Sequence, residues 1–84
     1  MSNSRPIGKV VHYYTKIGVA IVDVDGSLSI GDRIQILGPT TNFDQSVESM
    51  QIEHKAVKKV KAGDSIGLKV NDRCRKGDTV FKIT

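Results

Sequence analysis

The 84-residue chain has one cysteine, no tryptophan, two prolines, two phenylalanines and two tyrosines. A lone Cys74 cannot close a disulfide within the chain, so the staple of small secreted scaffolds is missing and an intracellular protein is expected. Its simplest role is that of a small, half-buried apolar residue. No apolar run exceeds the "VAIV" of Val19 to Val22, far short of the ~20 residues a membrane helix needs. The opening "MSNSRPIG" carries no signal-like apolar stretch. A soluble, cytoplasmic chain with no membrane partner is expected. Its length leaves room for one domain, which buries roughly 60 to 65 per cent of the surface exposed on unfolding, and no deep cleft between domains.

Catalytic signatures are scarce as well. There is no Gly-x-x-x-x-Gly-Lys-Ser/Thr phosphate loop, so GTP chemistry is excluded, and no Gly-x-Ser-x-Gly nucleophile motif. His12 and His54 have no Cys or second His at ligand spacing, so neither a metal nor a cofactor is expected. Cys74 with His54 as base is the one nucleophile that can be imagined. The chain reads as a binding protein, not an enzyme.

What is abundant is glycine, eight in all, and charge of uneven distribution. Up to His54 there are four basic and six acidic residues, a balance of −2; from Lys55 onward nine basic residues face three acids, +6. Clustered Lys and Arg neutralise phosphates and release their counterions, so RNA or a ribosome is a candidate partner. The competing reading is a solvated charged face.

Beyond a short loose arm over 1–6, apolar residues recur with period two and no helical stripe is sustained, so residues 7–84 read as one β domain. Strands are expected over Ile7 to Tyr14, Val19 to Val24, Arg33 to Leu37, Phe43 to Ile52, Ser65 to Val70 and Thr79 to Ile83. The segment "HKAVKKVKAG" fits a helix turn or an irregular strand equally. Within "FDQSVESMQI" the inward parity switches between Val47 and Met50, which a bulge or sharp coil near Ser49 would produce. Val11, Ile21, Ile34, Ile36, Ile66, Leu68 and Val80 are expected to face inward. Short strands at this spacing predict a small closed antiparallel β-barrel of about six to seven strands, since an open sheet of this size leaves unpaired edges.

Three Gly-Asp steps, Gly31-Asp32, Gly63-Asp64 and Gly77-Asp78, each precede an alternating run. Glycine supplies positive φ and Asp accepts hydrogen bonds from the amides that follow, so each is expected to be a structural corner. The rival, a metal site formed by convergence of the three acids, asks for closely spaced oxygen ligands, and these stand on separate turns.

These residues carry a resemblance. Gly26, Leu28, Gly31, Asp32, Ile34, Gly38, Ala62, Gly63, Asp64, Gly67, Lys76, Gly77 and Asp78 follow the order seen in the second domain of elongation factor Tu and its translational GTPase relatives. The chain looks most like small stand-alone proteins of translation elongation factor-like type. That resemblance implies a translation-protein β-barrel and a tie to RNA, ribosome or a translation complex. It does not carry over the pocket for aminoacylated tRNA, because Val24 stands where that family has an acid. A second resemblance, through "ILGP" and "FDQSVESM", is to the C-terminal barrel of collagenase-like peptidases. It implies the alternative role of a protein adaptor, an accessory barrel docking onto a separately encoded enzyme.

Three sets of residues are candidate contacts. Lys55, Lys58, Lys59 and Lys61 form one basic run and Arg73, Arg75 and Lys76 another; on loops at one end of a barrel they would make a phosphate-facing rim. Strand alternation turns either Tyr13 or Tyr14 outward as a stacking platform for a base, against the reading that one ring packs in the core and the other caps its rim. Phe43 in "GPTTNFD" is either a partner anchor or, more simply, core.

Overall fold

A computed structural model describes residues 4–83. The described residues form ten strands: β1 (Ser4–Tyr14), β2 (Val19–Val24), β3 (Leu28–Ser29), β4 (Arg33–Gly38), β5 (Thr41–Ser46), β6 (Met50–Ile52), β7 (Lys55–Val57), β8 (Lys59–Val60), β9 (Ser65–Lys69) and β10 (Thr79–Ile83). Eight of them pair antiparallel in the order β5-β4-β10-β1-β2-β9-β6-β7, and β3 pairs with β8 as a separate two-stranded ribbon. All-β architecture is as expected. Closure is not: the ladder stops at β5 on one side and β7 on the other, so the sheet is open and curls around its core. The arm expected over 1–6 lies outside the described residues for 1–3, whereas Ser4, Arg5 and Pro6 pair with Ile83, Lys82 and Phe81.

The inward set forms one cluster from Ile7 to Val80, with Leu28, Ile34, Ile36 and Leu68 fully buried. Truncating such a residue to Ala removes transfer energy and leaves a cavity, about 2 to 5 kcal/mol in all. Five of the seven expected core residues are buried there. Val11 and Ile21 are not. A register shift between Val10 and His12 opposite β2 puts Val10 inside instead. On β2, Ala20, Val22 and Val24 take the inner face and leave Val19 and Ile21 outside. Because "VAIV" is apolar at both parities, alternation could not set its register.

The single strand expected over Phe43 to Ile52 is split by an irregular stretch at 47–49, where the parity switch called for a bulge or coil: β5 ends at Ser46 and β6 begins at Met50. The undecided basic segment is extended, contributing β7, β8 and the turn before β9.

All three Gly-Asp steps are corners of one design. Glycine φ is +94° at Gly31, +96° at Gly63 and +94° at Gly77. Three residues before each acid, the backbone N–H of Ser29, Lys61 or Arg75 donates to the Asp carboxylate at 2.8, 3.0 and 2.8 Å. The side chain thus takes an amide that precedes it, not one that follows. Each glycine N–H then donates to the carbonyl of a buried valine elsewhere in the chain, and that valine donates back to the Asp carbonyl. The valines are Val47, Val24 and Val10 in turn. A corner is therefore also a weld between neighbouring segments. Gly38 has a different reason to be glycine: a Cβ there would overlap the Asp78 carboxylate, which is buried.

Candidate docking surface

The two basic runs stand on different segments of the chain. Lys61 sits in the corner that enters β9, Lys55 and Lys59 lie on β7 and β8, and Arg73, Arg75 and Lys76 belong to the connection that leaves β9 for β10. β9 runs antiparallel to β2, with Ser65 opposite Asp23 and Lys69 opposite Val19. All seven side chains are exposed.

Asp32, Asp64 and Asp78 lie in three separate corners, each carboxylate bonded to its own turn. Cys74 is buried, and desolvation first, with the Asp78 charge second, pushes its thiol up to about 11. His54 stands elsewhere, in the turn between β6 and β7. Phe43 is half-buried against the core. The Arg33 guanidinium, through a 2.6 Å hydrogen bond and its charge, holds the Asp44 carboxyl below the usual carboxylate range on an exposed part of the sheet.

The tyrosines divide as alternation requires. Tyr13 packs against the core, while Tyr14 is 46 % exposed and meets His12 edge-on at 4.3 Å between ring centroids. Tyr14 does not stand alone. In the β1–β2 turn Ile17 is 62 % exposed, and Val19 and Ile21 continue the same apolar line along the outer face of β2. Gly67 of β9 lies opposite Ile21 on one side and Gln51 of β6 on the other. Having no side chain, it leaves a trough between the strands: a Cβ there would already stand 3.4 Å from Val19 Cγ1. Gln51, Glu53 and His54 form the far wall, and the cleft measures about 400 Å³.

That wall is strained. Glu53 and His54 have φ of 51° and 66°, the two left-handed positions of a tight two-residue hairpin turn that usually holds Asn-Gly. Non-glycine residues in that region are uncommon. The outer apolar face was missed as a site in the sequence, although its signal is there: "VAIV" is apolar on both parities beside an exposed-turn isoleucine.

Comparison with known proteins places these features in context. No protein-family model matches the chain. Over 78 residues it is 45% identical to an uncharacterized protease of Methanocaldococcus jannaschii, covering 92% of this chain and 19% of that protein. Over 79 residues it is 36% identical to a collagenase of Porphyromonas gingivalis, covering 92% and 22%. The chain therefore spans about a fifth of the length of the curated relatives it matches. Among solved structures it is similar to the C-terminal domain of a Geobacillus thermoleovorans protein designated a U32 peptidase, with TM-score 0.86 and 22% identity over 90% of this chain and 96% of that one. A second structure of that domain gives 0.85 and 23% over 90% and 89%. At these identities the likeness is one of fold. The resemblance to collagenase-like peptidases is thus supported. The translation-factor and ribosome reading is corrected: these relatives carry protease and collagenase names, and the Gly-Asp corners that suggested it are backbone devices that this β fold needs for its own turns.

Proposed function

We propose that this chain is a non-catalytic accessory module of collagenase-like peptidase type, which docks onto a catalytic portion through the outer face of β2. The observation that carries the reading is the apolar line Tyr14, Ile17, Val19 and Ile21, exposed or half-buried from the end of β1 through the turn onto β2, a strand whose other face already fills the core. A strand apolar on both faces belongs under cover on both. The length of the relatives supports a cover of this kind, since the matching segment in them is accompanied by some four-fifths of a longer protein. The chemistry of the module's own residues agrees. Its thiol is buried and protonated, and its corner carboxylates are tied to their turns.

A photo-crosslinking side chain placed at position 17 tests this. It is expected to join the chain to the remainder of the Methanocaldococcus jannaschii protease, its matching segment deleted, while the same group at Asn42 on exposed β5 does not. Equal labelling from both positions would contradict the assignment of the face.

A further inference from the structure

We infer a second binding site, independent of the β2 face: the free edge of β7, with the apolar recess beside it, takes an extended acidic peptide as an added strand. β7 ends the eight-stranded sheet. It is joined to β6 by the two-residue turn Glu53-His54, with Ile52 opposite Lys55, Gln51 opposite Ala56 and Met50 opposite Val57. A turn of that length makes the flanking pair Ile52 and Lys55 the hydrogen-bonded kind. Alternation then directs the N–H and C=O of Ala56 away from β6, to the open side. An exposed edge of this kind is a template for one more strand.

Beside the edge lies a recess of about 500 Å³, floored by Ile30, Met50 and Val57, where Ile30 is 41 % exposed. An apolar side chain of the incoming strand fits there. Lys58 and Lys59 stand on its rim, and Lys55 begins β7. Among the described residues the ion pairs are Arg33 with Asp44 and Lys82 with Asp32, so none of these three lysines is paired. Glu48 is the one acid on the recess. The charge selects the occupant. A second copy of this edge would bring lysine against lysine, whereas acidic side chains flanking an apolar anchor complement the rim.

The test is fluorescence anisotropy with a labelled eight-residue peptide alternating Glu with Leu or Val. Controls are its Gln-for-Glu counterpart and a single-stranded oligonucleotide of equal charge. The acidic peptide is expected to bind at least tenfold more tightly than the neutral one, and more weakly as salt rises. Lys58→Glu with Lys59→Glu should lower its affinity tenfold or more. Ala56→Pro removes the outward N–H at an edge position where proline is tolerated, and should also abolish binding while thermal melting shows the chain folded. Should Ala56→Pro unfold the chain, a peptide with N-methylated alternate residues replaces it, expected to lose binding. Equal affinity for acidic and neutral peptides, binding unaffected by loss of the backbone bond, or tighter binding of the oligonucleotide would each overturn the inference.

Discussion

Asn71 donates its backbone N–H to the Gln45 side-chain oxygen at 2.7 Å, and the Gln45 amide nitrogen donates in turn to the Lys69 carbonyl at 2.9 Å. One buried side chain thus links the edge strand β5 to the end of β9, where a closed barrel would have a backbone ladder. Gln45→Leu keeps the volume but strands a donor and an acceptor. It is expected to cost about 1 to 3 kcal/mol in urea unfolding; an unchanged midpoint would mean that the gap is held by other contacts.

The corners make a graded prediction. Around Gly31, Gly63 and Gly77 a Cβ would meet nothing within 4 Å, so a substitution there acts through backbone conformation alone. Gly63→Val should destabilise by more than ~1 kcal/mol. Gly38→Ala fails for the other reason, overlap with the buried Asp78 carboxylate, and overpacking of that sort costs about 1 to 3 kcal/mol. Urea midpoints measure both, and a neutral Gly63→Val would refute the corner geometry there.

Cys74 gives the pH dependence. Its thiol is raised from 9.0 to about 11 in the folded chain. Below pH 9 the thiol is neutral in both states and its contribution is fully present; between 9 and 11 the unfolded chain alone loses the proton, so stability falls as pH rises through that window. Cys74→Ala, though less stable overall, should lack that fall. At pH 8 a thiol reagent should label the native chain only at the rate of unfolding.

Much of the fold was legible because its signals are local. Glycine-acid corners and period-two runs mark Ile34, Ile36, Ile66, Leu68 and Val80 as inward without reference to partners, and the structure buries all five. Val11 was misplaced because a bulge is a property of two strands and neither strand alone records it; Ile21 was misplaced because "VAIV" is apolar at both parities. Closure failed for a similar reason: nothing in "TTNFDQS" says that a glutamine side chain will stand in for a ladder.

The Glu53-His54 turn tests whether the cleft wall carries stored strain. Replacing the pair by Asn-Gly, which the left-handed positions favour, should raise stability by about 1 kcal/mol or more in thermal melts. A loss of stability would show that these side chains hold the hairpin in place.

The central claim is that the outer face of β2 is an interface, and calorimetric titration addresses it directly. The chain is titrated into the Methanocaldococcus jannaschii protease lacking its matching segment, at high salt, with Ile17→Asp and Ile21→Asp variants alongside. One-to-one binding that survives salt and is lost in both variants, with their melting close to that of the parent chain, is the predicted result. No heat of binding from the parent chain, or binding that both variants retain, would contradict it.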